Sequence, residues 1–475
     1  MLFNSIEFIF YFLPVVVVLF YITPPEYRPL LLLCASLVFY SWWNPRLTPL
    51  LLASIGANYL VGLKIVDALS SGNARLAARF AIAGVVVNLA ILGYFKYRYF
   101  AADMAGVPIV EDPGKLVIPL AVSFYTFQQI SFLVDAWRGE VGRIPFIRYA
   151  AFVTFFPHLI AGPIFRHNEL IPQFARDERP NALSNIVVGT SIFSLELIKK
   201  VWIADTLAAS ATPIFDLVKA GQEISSFDAW SALFAYHFQI YFDFSGYSTM
   251  AIGIGKMFGI DLPLNFRSPY RADSIIEFWR RWHITLSRFL RDYLYIPLGG
   301  NRYGAARRYL NVIITMALGG LWHGAAWGFV IWGLLHGLYL AINHAWRKIA
   351  GEAMPYWLGG TLTFFAVAIA WVPFRAESLD ATKRFFAAML GSCASCAQVT
   401  AASEVFPVLL IALAISAFMP TVEQLIGIDT TSKPAPRVRW FPTPAWAVAI
   451  GFAFFVSIAA IMAVGQSSEF LYFRF

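Results

Sequence analysis

Charge is what this sequence has least of. Asp, Glu, Lys and Arg make up 13% of its 475 residues, against about 25% in a soluble chain, too little to cover a water-facing surface. Cysteine is nearly absent. Three cysteines exclude a disulfide framework, and only Cys393 and Cys396 stand close, as Cys-Ala-Ser-Cys. That pair reads either as a local disulfide on an oxidising face or as two inert thiols. Zinc would need two further ligands at the usual spacing, and the seven histidines form no HExxH or comparable pattern, so no metal is expected. No Lys or Arg precedes Arg28 and no small-x-small site follows the first apolar run, which argues against a cleaved signal and for a retained membrane helix. No polar stretch is long enough for a soluble domain. No internal repeat relates two halves, the pattern of many transporters.

What remains is apolar. Hydrophobic residues reach 59%, with 44 Phe, 21 Tyr and 15 Trp, and the mean hydropathy is +0.63. This balance excludes a disordered chain, a soluble α/β enzyme and a nucleic-acid-binding domain, and leaves an all-α, polytopic membrane protein with lipid as its first partner. A span takes about 20 apolar residues. Runs of that kind lie near 5–22, 28–43, 48–66, 81–100, 116–136, 148–165, 185–208, 228–255, 309–345, 358–374, 405–424 and 443–464. About eleven or twelve spanning or partly embedded helices follow, in one domain over 1–475. Pro157, Gly162 and Pro163 interrupt one run, and such backbone must be sheltered by protein or face a wet chamber.

The few charges are unevenly placed. Lys256 to Arg308 carries ten Lys and Arg against four acids, which suits a cytoplasm-facing segment or an anchor on lipid headgroups. Within it, 274–294 reads SIIEFWRRWHITLSRFLRDYL, too charged to span and too apolar for a solvated loop. On a helical wheel with Trp282 at zero, Phe278, Phe289, Tyr293, Leu286, Trp279 and Leu290 fall between about −40° and +80°. Arg280, Arg281, Arg288 and Arg291 fall opposite, between about 160° and 260°. The pattern predicts one surface-lying helix, with Glu277 paired to Arg281 and His283 on the seam between the two faces.

Ionisable groups among apolar residues mark pathways or reaction centres. His323 sits in Leu-Gly-Gly-Leu-Trp-His-Gly-Ala-Ala-Trp, where glycines permit close backbone approach and Trp322 and Trp327 are placed to wall the imidazole from water. It is the foremost catalytic candidate. His336, thirteen residues on, would turn about 220° from His323 on an unbroken helix and so would not share its site. Asp243, within Tyr-Phe-Asp-Phe-Ser-Gly-Tyr-Ser-Thr, either pairs with a buried cation or lines the chamber. Gln128 and Gln129 are polar insertions of the same kind.

The stretches YFDFSGYSTMAIGIGKMFGI, SPYRADSIIEFWRRWHITLSRFLRDYLYIPLGGNR and GGLWHGAAWGFVIWG resemble the membrane-bound O-acyltransferase family, most closely its bacterial alginate O-acetyltransferase branch. The likeness extends through FPHLIAGPIFR to the closing FLYFRF, while 375–440 carries no family motif. It implies a helix bundle pierced by a funnel, with His323 as the catalytic histidine and His283 as the second family histidine. It also implies transfer of an acetyl group from a cytoplasmic thioester, acetyl-CoA as donor substrate and no permanently bound cofactor. Arg280, Arg281, Arg288 and Arg291 would attract the donor's phosphates, with Trp322, Trp327, Asp243 and Gln128 near the donor or tunnel. His283 would orient the thioester or stabilise the oxyanion, and a covalent acyl-histidine stays open. The branch works at the bacterial inner membrane with periplasmic acetyltransferase partners, toward exopolysaccharide. Two alternatives remain: D-alanyl transfer, as in a related branch, and transport of an acylated intermediate.

Overall fold

The computed structural model describes residues 1–107, 118–175, 181–351, 354–393, 396, 404–429, 438–464, 468 and 470–471. Every regular element among them is helical, with no strand. The protein is an all-α, polytopic membrane protein. Among the described residues, four helices are long and apolar enough to cross a bilayer, at Pro45–Ser70, Ala74–Met104, Tyr356–Arg375 and Pro444–Ala463. The run at 228–255 lies within one unbroken helix, Ser226–Met257, while several other hydropathic runs are cut into shorter helices by π-turns, prolines and glycines. For example, the run at 5–22 is a π-turn, Glu7–Phe12, followed by Leu13–Ile22.

The chain divides into two compact units, Met1–Phe193 with Met250–Pro263, and Ser194–Thr249 with Leu264–Phe475. In the first, α1 (Thr48–Ser70), α2 (Ala74–Leu92) and α3 (Val122–Trp137) are joined by buried amides. Asn88 Nδ2 donates to Asn58 Oδ1 at 2.6 Å, and Ser54 Oγ donates to Gln129 Oε1 at 2.9 Å. Such bonds hold helices together where apolar surface gives little preference between neighbour and lipid. The broken Pro-Gly-Pro segment is sheltered by protein, since residues 149–165 are all buried.

In the second unit the expected continuous run 309–345 is a hairpin: α4 (Gly304–His323) stops, Gly324 and Ala326 are extended, and α5 (Trp327–Ala350) returns against it. Two glycines make this approach possible. A Cβ on Gly320 would run into the Phe329 carbonyl oxygen, and one on Gly333 into that of Met316. The next helix, α6 (Tyr356–Arg375), packs on α5.

Candidate active site

The stretch 274–294, expected as one helix, is three pieces: α7 (Ile275–Arg281), α8 (Ile284–Leu290) and a π-turn, Arg291–Tyr295. The break falls at His283, whose backbone is left-handed at φ 44° and ψ 53°. A side chain in that conformation costs roughly 1–3 kcal/mol and persists only where surroundings enforce it. The preceding extended segment does so. Arg267 N–H donates to Arg281 O and Ile284 N–H to Asn265 O, both at 3.0 Å. The wheel placement of His283 therefore does not hold, because no single helix axis carries it.

The break turns His283 inward. Its ring, 1% exposed, meets Phe244 edge-on at 4.8 Å and lies 6.4 Å from the His323 ring, centroid to centroid. Burial pushes its pKa down to about 3, so the imidazole is neutral. His323 ends α4, where the extended Gly324 releases it from the helix. Trp322, Trp332 and Phe374 surround it at 4.9, 5.1 and 5.3 Å, and 6% of the residue remains exposed. Two imidazoles at this spacing can address one small carbonyl and its attacking hydroxyl, directly or through a water.

Because the hairpin reverses the chain, His336 is not excluded from this cluster as the unbroken-helix geometry required. Trp332 touches both His323 and His336, the latter at 4.8 Å. His336 Nδ1 accepts from the Trp279 indole N–H at 3.2 Å, which fits a structural role.

Beside this cluster lies a cavity of about 610 Å³ whose lining includes Arg280, Arg288, Arg291, Arg308 and His344, with Trp279, Ser287 and Met316 on its wall. Neither His283 nor His323 is among its lining residues, but Trp279 reaches Trp332 at 5.8 Å and so stands one indole layer from His323. Of the four arginines singled out from the sequence, three line the cavity. Arg281 instead donates to Glu277 at 2.8 Å.

A family model described as the membrane-bound O-acyltransferase family matches residues 138–354, a stretch that holds both histidines. A probable alginate O-acetylase of Azotobacter vinelandii is 46% identical over 396 residues, covering 82% of this chain and 78% of that protein. The chain belongs to the membrane-bound O-acyltransferase family. A peptidoglycan O-acetyltransferase of Helicobacter pylori is 42% identical over 428 residues, covering 82% of this chain and 80% of that protein. More distantly, a teichoic acid D-alanyltransferase of Streptococcus thermophilus is 28% identical over 253 residues, covering 51% of this chain and 60% of that one. The protein is thus a membrane-bound O-acyltransferase.

The remaining candidates of this acyltransferase take other places. Asp243 accepts from Lys200 Nζ at 2.6 Å and from the Leu471 N–H at 2.7 Å, while Lys200 also reaches Asp205 at 2.7 Å. Asp243 is therefore neutralised within a buried network that anchors Leu471. Gln128 belongs to the first unit. There Gln128 Nε2 lies 3.0 Å from His158 Nδ1, and His158 Nε2 lies 3.0 Å from Phe152 O. Trp327 opens α5 and is 44% exposed. Cys393 and Cys396 are joined by a disulfide, so of the two readings the local bridge is the one present.

Sequence reasoning missed Asn265, Trp332, Phe374, Arg308 and His344. Arg308 left a signal as the last member of the basic stretch, and Trp332 lies within the GGLWHGAAWGFVIWG motif. The others meet the site through contacts that no local spacing encodes.

Proposed function

We propose that this O-acyltransferase takes an acetyl group from a cytoplasmic thioester, acetyl-CoA in the simplest case, and delivers it across the bacterial inner membrane for O-acetylation of an exopolysaccharide such as alginate. One observation carries the reading: His283 and His323, 40 residues apart in sequence, face each other at 6.4 Å beside an arginine-lined cavity. Arg280, Arg288, Arg291 and Arg308 supply the positive field that draws a phosphorylated donor. His323 accepts the proton of the acceptor hydroxyl as its oxygen attacks the thioester carbonyl. The C–O bond forms, the C–S bond breaks, and the proton passes to the departing thiolate. General-base help of this kind is worth about 10²- to 10⁴-fold. His283 positions the reacting groups. The product is handed to a periplasmic acetyltransferase partner, and no resident cofactor takes part.

The acetyl reading is supported by the two relatives named for acetyl transfer, each matching 82% of this chain. The similarity to a D-alanyltransferase supports a second reading, aminoacyl transfer from a carrier-protein thioester. Purified protein in detergent, given labelled acetyl-CoA with and without a polysaccharide or hydroxyl acceptor, decides between them. Transfer or slow hydrolysis of the label supports acetyl chemistry. Inertness toward acetyl thioesters together with transfer from a D-alanyl thioester overturns it, and flux without bond cleavage in proteoliposomes favours a transporter.

A further inference from the structure

The side chain of Asn265 is 1% exposed and meets several polar groups on the same site. Its Oδ1 lies 3.3 Å from the Thr285 backbone N–H, 2.9 Å from Thr285 Oγ1 and 3.1 Å from His283 Nδ1, while its Nδ2 donates to Ser248 Oγ at 2.9 Å. The orientation of the amide is fixed by chemistry. A backbone N–H can only donate, so the atom that faces Thr285 N must be the oxygen. That same oxygen faces His283 Nδ1, and an amide oxygen can only accept. Nδ1 must therefore carry the proton, and in a neutral imidazole the lone pair then sits on Nε2.

We infer that Asn265 is a positioning residue that locks His283 in the Nδ1–H tautomer, so that His283 offers the reaction an acceptor nitrogen rather than an oxyanion donor. Asn265 acts twice on the same residue. Its backbone carbonyl takes the Ile284 N–H and its side chain takes the Thr285 N–H, which together hold the left-handed turn at His283. One side chain thus sets both where the ring stands and which nitrogen is basic, the third-group role of a base–orienter pair. Of the two tasks open to His283, orienting the reacting groups or stabilising an oxyanion, this geometry assigns the first, because neutral Nε2 has no hydrogen to give. The inference rests on the reading of His283 as part of the acyl-transfer site.

The test uses the full-length protein in detergent with ¹⁵N-labelled histidine. The His283 signals are assigned by their loss in His283→Gln, and acetyl transfer is measured on the same samples. In the wild type, Nε2 of His283 is expected to show the downfield shift of an unprotonated nitrogen. In Asn265→Ala that preference is lost and kcat falls about tenfold or more, the worth of one buried hydrogen bond, with KM for the donor unchanged. Asn265→Asp, which keeps the acceptor oxygen, restores the Nδ1–H signature and most of the rate. A wild-type His283 protonated at Nε2 overturns the inference whatever the activity. So does an Asn265→Ala protein with wild-type signals, or failure of both variants to accumulate, which would make Asn265 a folding residue only. Absence of acetyl transfer from the wild type, with the tautomer as expected, would instead sink the functional reading and leave only the Nδ1–H assignment of His283 standing.

Discussion

Replacing His323 and His336 separately gives the sharpest test, because both imidazoles touch Trp332 yet only one ring faces His283. His323→Gln keeps most of the volume and a hydrogen-bonding group but removes the base. Losing general-base catalysis should lower kcat by about 10²- to 10⁴-fold, or about 2.7–5.4 kcal/mol in the barrier, with little change in thermal stability. His336→Phe fills its site but removes the acceptor of the buried Trp279 N–H. Leaving that donor unsatisfied should cost about 1–3 kcal/mol of stability, while the protein that remains folded transfers acetyl within about threefold of wild type. Acetyl transfer from labelled acetyl-CoA and thermal unfolding followed by tryptophan fluorescence separate the two effects. If His323→Gln kept more than a tenth of the activity, or both variants lost rate equally, the assignment of His323 as base would be refuted.

Other perturbations follow from the same contacts. Lys200→Met strands Asp243 in a buried site and should destabilise by about 3–5 kcal/mol, whereas Lys200→Met combined with Asp243→Asn should recover most of that loss in a double-mutant cycle read by detergent thermal shift. Arg288→Gln with Arg308→Gln should raise KM for a phosphorylated donor about tenfold and leave kcat nearly unchanged, with the difference shrinking as ionic strength rises past about 0.15 M. A salt-independent loss of kcat would remove the cavity from donor binding. Gly320→Val leaves no room between α4 and α5, so the folded protein should fall to trace amounts on a fluorescence-detected size-exclusion trace. A full-height monodisperse peak would contradict the hairpin packing.

The membrane class was legible because composition is additive: 13% charge against 59% apolar residues cannot make a soluble surface however the chain folds. His323 was legible as a candidate too, since a lone imidazole among glycines and tryptophans stands out without knowledge of its neighbours. The wheel over 274–294 misled because periodicity assumes one axis. The turn at His283 is imposed by Asn265, 18 residues earlier in the chain, and nothing within the helix-like pattern reports that contact. The unbroken helix assumed between His323 and His336 failed for the same reason, as the extended Gly324 and Ala326 reverse the chain between them, although Trp332 still stands between the two rings.

By itself, then, the order of residues determined the solvent this protein lives in, the family motifs it carries and which two histidines stand as candidates for the site. Tertiary structure alone decided that those histidines meet, that the side chain of Asn265 stands against Nδ1 of His283, and that Arg308 rather than Arg281 joins the cavity wall. The physical reason is range. Hydropathy and motif identity are properties of single residues and short windows, whereas hydrogen bonds and ring contacts depend on which distant backbone segments arrive within a few ångströms of one another.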